Sequence, residues 1–133
     1  MSWSYSCPKC AGALSPDRSV MLCGARGDGR KVLIGFHPQP GNYEIYLPPE
    51  EELTKGDRWS FYCPVCGESL TSDEDENLCM LNLTSEGKEQ QVFFSRIAGE
   101  QVTFVVTNRK VEQRHGADSE TYVRQMMSLK FFF

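Results

Sequence analysis

The residues with the clearest potential for chemistry are two pairs of cysteines, each held in a Cys-Pro-x-Cys turn. Cys7 and Cys10 form the first pair, and Cys63 and Cys66 form the second. One such turn delivers two sulfurs to a metal ion, and two turns supply the four thiolates that zinc or ferrous iron binds in a tetrahedron. A redox dithiol without a metal is disfavoured because it typically opens a helix in a βαβ unit, whereas these turns lie between predicted strands. The sequence therefore predicts one four-cysteine metal site that joins the two halves of the chain.

The segments SCPKCA (6–11) and YCPVCG (62–67) contain these turns. They resemble the knuckles of the zinc-ribbon and rubredoxin-like class of proteins, although Ala11 stands where glycine is usual. The resemblance implies a structural zinc ion in a closed site or, as the alternative, an iron ion that carries electrons as in rubredoxin. Zinc is favoured because most of the chain is predicted as β-structure, more than electron transfer requires, and structural zinc adds binding free energy to folding.

Two further cysteines, Cys23 and Cys79, follow the two turns at the same spacing, each after a leucine in an apolar segment. The favoured interpretation is that both are small core residues that face each other. Six thiolates could instead hold two zinc ions through bridging sulfurs. Two separate three-cysteine sites would each need a fourth ligand, for which His37 is available in the first half, whereas Ser95 occupies the aligned position in the second.

The surroundings of the two turns are also alike. Shifting the chain by 56 positions aligns residues 3–23 with 59–79 and makes nine of the 21 pairs identical. After two inserted residues, 28–30 align with 86–88 at a shift of 58, and Phe36 aligns with Phe94. We interpret this similarity as an internal duplication whose copies pack about a pseudo-twofold axis through the metal.

Each half is predicted to form the same antiparallel β-meander, with a short extended segment leading into the turn. Three segments rich in Val, Ile, Phe and Tyr follow as strands, at 20–25, 31–37 and 43–47 in the first half and at 77–83, 91–96 and 102–107 in the second. Apolar side chains at i, i+4 spacing then predict a helix with Asp118 as its N-cap, ending in the apolar tail Phe131–Phe133. The predicted fold class is mainly β, an internally duplicated antiparallel meander of zinc-ribbon-like, pseudo-twofold design with a C-terminal α-helix. We expect a single domain over 1–133, with repeat 1 at about 3–50, repeat 2 at about 59–112, and the helix and tail at about 118–133.

The overall composition narrows the function classes. The chain has 133 residues, a formal net charge of −4 and an isoelectric point of about 5.2. Nucleic-acid binding is therefore disfavoured, since neutralising several phosphates usually requires a basic surface. Two local clusters could still provide such a surface: Arg26, Arg30 and Lys31, or Arg109, Lys110 and Arg114. No window approaches the roughly 18 apolar residues of a membrane span, and the N-terminus lacks a secretory pattern. We expect a cytoplasmic protein whose cysteines stay reduced.

No catalytic constellation is evident in the sequence. The two histidines, His37 and His115, lie in unrelated contexts, and four cysteines would close the metal site to a substrate. We therefore expect a non-catalytic protein-interaction or adaptor module that binds another protein or a second copy of itself. The candidate interaction surface consists of aromatic residues, since exposed aromatics often mark contacts: Trp3, Trp59, Phe131, Phe132 and Phe133. The two tryptophans could instead shield the metal from water, and the tail could pack back on the sheets.

Overall fold

The computed structural model describes residues 3–16, 18–27 and 29–133. Asp17 and Asp28, which belong to the aligned segments of the two halves, lie outside the described residues. Within the described ranges the chain forms nine strands and one helix: β1 (Ser4–Ser6), β2 (Val20–Arg26), β3 (Lys31–Phe36), β4 (Ile45–Tyr46), β5 (Trp59–Tyr62), β6 (Leu78–Ser85), β7 (Lys88–Ser95), β8 (Thr103–Thr107), β9 (Lys110–His115) and α1 (Glu120–Ser128). The prediction of a mainly β fold with a C-terminal helix is confirmed.

The strands form two antiparallel sheets that exchange their first strands. One sheet has the order β4-β3-β2-β5 and the other has the order β1-β6-β7-β8-β9. The predicted meanders are β2–β3–β4 in the first half and β6–β7–β8 in the second. However, β1 pairs with β6 of the second half, and β5 pairs with β2 of the first half. Each cysteine turn therefore extends from the sheet that is built mainly by the other half of the chain.

The registers of these exchanged strands correspond, with one correction to the sequence alignment. Tyr62 at the end of β5 lies opposite Cys23, and Ser6 at the end of β1 lies opposite Asn82. The shift of 56 had aligned Cys23 with Cys79, so this alignment is wrong in the sheet, where Asn82 takes the corresponding place. The additional residues lie before β6, in the acidic loop 72–77, where insertions are easily accommodated. That the halves arose by duplication stays a prediction.

The buried side chains divide into two clusters on the two faces of the five-stranded sheet. The main core lies between the sheets and contains, among others, Leu22, Ile34, Phe61, Leu81 and Val92. The second cluster lies between the five-stranded sheet and α1. It contains Phe104 and Val106 of β8, whereas the residue between them, Val105, belongs to the main core. Because β8 is covered on both faces, it appears in the sequence as a continuous apolar run.

The C-terminal helix is docked at both ends. Asp118 does not cap it, because its carboxylate accepts the backbone N–H of Gln101 at 3.0 Å and Ser119 occupies the N-cap position. At the other end Lys130 has a φ of 75°, and the N–H of Phe131 donates to the carbonyl of Met126 at 3.0 Å. This is a Schellman motif, which satisfies the last carbonyls of the helix. None of the helices in the described part of the chain is long and apolar enough to cross a membrane.

The edges of the two sheets differ from the prediction. The last predicted strand ends at 107, but Lys110–His115 form a further strand, β9. This strand has one buried residue, Val111, so it lacks the alternation that identifies strands in a sequence. β4 is shorter than the predicted segment 43–47 and covers Ile45–Tyr46 alone.

Candidate metal centre

The four cysteines of the two turns meet where the exchanged strands end. Cys7 follows β1 of the five-stranded sheet, and Cys63 follows β5 of the four-stranded sheet. The four sulfur atoms all lie within 4.8 Å of one another. The Sγ atoms of Cys7 and Cys66 are 3.9 Å apart, and those of Cys10 and Cys63 are 3.8 Å apart. The predicted pairing of one turn with the other is therefore present in the structure.

These separations fit four ligands of one tetrahedral ion. With metal–sulfur distances of about 2.3 Å, the edges of a regular tetrahedron are about 3.8 Å long. A disulfide would instead bring two sulfurs to about 2.05 Å, and all the described cysteines are free thiols. The residues present thus match the donor set and the spacing of a four-thiolate metal site, with no position left for an exogenous ligand.

The two turns have the same backbone geometry although their sequences, CPKCA and CPVCG, differ at two positions. The N–H of Ala11 donates to the carbonyl of Cys7 at 2.9 Å, and the N–H of Gly67 donates to the carbonyl of Cys63 at 2.8 Å. Both donors have a left-handed backbone, with φ of 62° for Ala11 and 79° for Gly67. This conformation costs an alanine about 1–2 kcal/mol relative to the right-handed region. Alanine therefore preserves the turn at a cost in stability.

Backbone N–H groups point at the sulfurs of both turns. Lys9 donates to the Sγ of Cys7 at 3.3 Å, and Val65 donates to the Sγ of Cys63 at the same distance. In the first turn, Gly12 also donates to the Sγ of Cys10 at 3.3 Å. Such donors stabilise the thiolate form that a metal requires.

Three of the four thiols have shifted pKa values, and the shifts differ in direction. Burial opposes ionisation of Cys63, but the N–H groups of Cys66 and Val65 and the thiol of Cys7 outweigh it and lower the pKa of Cys63 to about 7. Burial raises the pKa of Cys7. The N–H of Gly12 lowers the pKa of Cys10, but desolvation and the neighbouring thiols together raise it to about 12. The Cys63 thiolate therefore forms near neutral pH, whereas the positive charge of an ion is needed to ionise Cys7 and Cys10.

The cluster lies at the boundary between the main core and solvent. Cys7 and Cys63 are buried, whereas Cys10 and Cys66 are exposed. An ion held by these four sulfurs would be covered on one side by the core and would lie near the surface on the other. Across the described ranges, no other group of three or more His, Cys, Asp or Glu side chains comes together closely enough to hold a metal.

Cys23 and Cys79 are not part of the cluster. Cys79 is fully buried in the main core, and burial raises its pKa to about 12. Its prediction as a core residue is confirmed. Cys23 is half-buried and alternates with the buried Leu22 along β2, so it lies on the outer face of the four-stranded sheet. The prediction that the two cysteines face each other is therefore wrong.

The two histidines are engaged in local contacts. The Nδ1 atom of His37 accepts the N–H of Gln39 at 3.1 Å, and the Nε2 atom of His115 pairs with the side chain of Gln113 at 2.9 Å. Neither joins the sulfur cluster. His37 is therefore not a fourth ligand for a three-cysteine site.

The aromatic residues expected at an interaction surface are divided between core and surface. Trp59 and Phe131 are 3% and 4% exposed, so neither presents its ring to a partner. Trp3 is half-buried against the main core. Phe132 and Phe133 are 55% and 47% exposed. Phe131 packs against Phe93 with ring centroids 5.4 Å apart. Of the five aromatic residues, Phe132 and Phe133 are therefore the two that remain exposed as a candidate interaction surface.

The similarity to known knuckles is confined to the two cysteine turns. Their common hydrogen bonds and left-handed residues account for that similarity in physical terms, and the rest of the fold follows from the strand pairing described above. Comparison with protein-family models, with curated proteins and with solved structures found no match. The case for a metal centre therefore stands on the four sulfur positions themselves.

Proposed function

We propose that the chain binds one structural zinc ion through Cys7, Cys10, Cys63 and Cys66 and acts as a non-catalytic protein-interaction module. The observation that supports this most strongly is the sulfur arrangement, with pair separations of 3.8 and 3.9 Å and all four atoms within 4.8 Å. Four thiolates fill the coordination shell of zinc, as in structural rather than catalytic sites.

The position of the cluster explains what such an ion would do. Cys7 continues a strand of the five-stranded sheet, and Cys63 continues a strand of the four-stranded sheet. An ion bound to both turns joins the two sheets at one end of the main core. Its binding free energy is then added to the folding free energy, because the four sulfurs are brought together only in the folded chain.

Elemental analysis of natively purified protein tests the metal directly. We expect one zinc atom per chain, and we expect Cys10→Ser to lose it. Cys23→Ser is the matched control, since it removes a thiol that lies outside the cluster and should keep the full zinc content. Two zinc atoms per chain, or a Cys10→Ser variant with unchanged zinc content, would contradict the single shared site.

An iron centre that transfers electrons is the second candidate. The exposure of Cys10 and Cys66 supports it, because electron transfer requires a metal near the surface. A purified protein with strong visible absorption that bleaches on reduction would favour iron. A colourless, zinc-loaded protein would remove this candidate.

The interaction role rests on exposed apolar side chains at the end of the chain. Met127, Phe132 and Phe133 are 57%, 55% and 47% exposed, and we name them the C-terminal apolar surface. Apolar side chains grouped on a surface often mark contacts with another protein. Deleting the whole segment 118–133 would be a poor test, because Tyr122 and Met126 belong to the buried core.

A point substitution tests this surface without removing the helix. We expect Phe132→Ser to weaken association with a second copy or with a partner protein, measured by sedimentation of the pure protein and by cross-linking in the native cell. Val65→Ser is the control, since Val65 is 64% exposed at the second cysteine turn. Unchanged sedimentation and cross-linking for Phe132→Ser would contradict the role of this surface.

The basic residues support a protein partner over a nucleic acid. The four arginines of the local basic clusters each pair with a carboxylate: Arg26 with Asp57, Arg30 with Glu51, Arg109 with Glu74, and Arg114 with Glu120. These pairs reduce the positive charge available to phosphates. We expect weak retention of RNA and DNA that does not depend steeply on salt, and a steep dependence would revive the nucleic-acid interpretation.

A further inference from the structure

The space between the two sheets contains a cavity of about 130 Å³. Its inner wall is mostly apolar and includes Trp59, Phe61 and Val92 of the main core. The segment 39–45 forms its outer rim, where Gln39 and several neighbours are exposed to solvent. None of the four cysteines of the candidate metal centre lines it. The cavity is therefore separate from the sulfur cluster.

Two side-chain N–H groups at this cavity have no hydrogen-bond partner. Among the described residues, the Nε1 of Trp59 and the Nε of Arg96 are the buried side-chain nitrogen and oxygen atoms left unsatisfied. Both residues line the cavity. They are also direct neighbours, since the backbone N–H of Trp59 donates to the carbonyl of Arg96 at 2.9 Å. Because buried donors nearly always have partners, this pair indicates a missing acceptor.

Other polar groups that line the cavity are already engaged in hydrogen bonds. The Oε1 atom of Glu100 accepts hydrogen bonds from Ser95 at 2.6 Å and from Tyr122 at 2.7 Å. Tyr43 and Thr103 pair with each other at 2.9 Å. Within the described ranges, no carboxylate lies within ion-pair distance of Arg96. The Nη1 atom of Arg96 donates to the hydroxyl of Thr71 at 3.4 Å. The guanidinium therefore has a neutral hydrogen-bond partner but no carboxylate as a counter-charge among these residues.

We propose that this cavity binds a small carboxylic acid with one apolar ring or a short branched chain, its carboxylate accepting the N–H groups of Trp59 and Arg96. A carboxylate fits because both unsatisfied groups are donors and one is cationic, and charge-assisted hydrogen bonds are the stronger kind. The apolar walls would contain the ring or chain. An apolar cavity of about 150 Å³ binds benzene in another protein, so the volume of this cavity suits a ligand with a single ring.

The remaining charged and titratable groups of the lining fix the orientation of such a ligand. Glu100 lies on the wall and Glu44 lies at the exposed rim, and either would repel a carboxylate placed beside it. His37 also lines the cavity, but its Nδ1 atom is occupied by the N–H of Gln39. Arg96 is the one lysine or arginine among the described lining residues, so it is the group that favours an anion.

Benzoate and benzyl alcohol provide a matched pair of probes, because they share a ring and differ in charge. In a titration of the full-length, metal-loaded protein followed by ¹⁵N-resolved NMR, we expect benzoate to shift the indole N–H of Trp59 and the Nε–H of Arg96 in a saturable way. Benzyl alcohol should bind at least about tenfold more weakly, the difference expected for loss of a charged hydrogen bond. Equal binding of the two probes, or no saturable shift of the Trp59 indole, would overturn the proposal.

Arg96→Gln should weaken benzoate binding by about tenfold or more and leave benzyl alcohol binding unchanged. Arg58→Gln is the control, because Arg58 is exposed, pairs with Glu76 and does not line the cavity. Unchanged benzoate affinity in Arg96→Gln would overturn the proposal. If this variant does not fold, the proposal is tested by comparing the affinities of benzoate and benzyl alcohol for the native chain. Zinc content is measured separately, so the failure of either proposal can be recognised without the other.

Discussion

Serine in place of Cys10 should separate the contribution of the metal from that of the hydrophobic core. The Cys10 side chain is exposed, so the substitution removes one sulfur without leaving a cavity in the core. A serine hydroxyl stays protonated at neutral pH and is a poor replacement for a thiolate ligand of zinc. The turns after β1 and β5 would then be held together by side-chain packing alone.

The expected loss of stability follows from the distance along the chain that the ion connects. An unfolded chain can still hold zinc through one Cys-x-x-Cys pair, so folding adds the second pair. Cys10 and Cys63 are 53 positions apart, and closing a loop of that length costs an unfolded chain about 4 kcal/mol. The folded chain has already brought the pairs together. We therefore expect zinc to stabilise the native state by about 4 kcal/mol or more, a large part of the roughly 5–15 kcal/mol typical of a domain.

Guanidinium unfolding followed by circular dichroism measures this difference. The native protein should lose about 4 kcal/mol of unfolding free energy when a chelator removes the zinc, whereas Cys10→Ser should begin at the lower value and not respond to the chelator. Cys23→Ser should keep the full response, because Cys23 lies outside the cluster. A native protein whose unfolding free energy is the same with and without chelator would refute the cross-link between the sheets.

Three further predictions concern the turns and the thiols. Ala11→Gly should raise the unfolding free energy by about 1 kcal/mol, since Ala11 has a φ of 62°, while the same change at Ala13 should give no gain in denaturant unfolding. Gly116→Ala should lower the thermal midpoint by an amount corresponding to about 3 kcal/mol, because its φ is 104° and a methyl group would clash with the carbonyl of Gln101. Gly87→Ala should lower the midpoint less, because the space around Gly87 is open. Zinc affinity should fall as pH falls. The raised pKa values of Cys7 and Cys10 mean that at least these two thiols release protons on binding, so the affinity should change by about a hundredfold per pH unit. Protonation of Cys63 makes this dependence steeper below its pKa of about 7. Competition with a chromophoric chelator across this pH range measures the slope, and an affinity independent of pH would exclude thiolate ligation.

The cysteine cluster could be predicted from sequence because its information is local. Two Cys-x-x-Cys turns specify two sulfur pairs each, and the alternation of apolar residues indicates the strands that lead to them. Which sheet each turn belongs to is not local information. The lead-in segments of the two turns are similar, so either could pair with its own half, and the exchange of β1 and β5 follows from long-range packing.

The errors of the sequence interpretation also have physical causes. β9 was missed because its outer face is charged and Val111 is its one buried residue. The alignment of Cys23 with Cys79 matched residue types, but three more positions in the loop before β6 bring Asn82 into that place. Trp59 and Arg96 carried no signal of a shared cavity, because their proximity depends on a backbone contact between distant segments. The positions of most strands could be predicted from the sequence, whereas the pairing and register between distant strands could not.

The exchange of strands gives the metal centre a structural reason for its position. β1 and β5 are edge strands of three and four residues. Beyond their one neighbouring strand, each makes an isolated bridge to the segment after its cysteine turn, at Ala13 for β1 and at Ser69 for β5. Strands this short contribute few hydrogen bonds to a sheet. Their buried side chains, Tyr5 from β1 and Trp59 and Phe61 from β5, enter the same main core. An ion at the ends of both strands would hold each in place through the other, so that these short edge strands of both sheets become parts of one cross-linked unit.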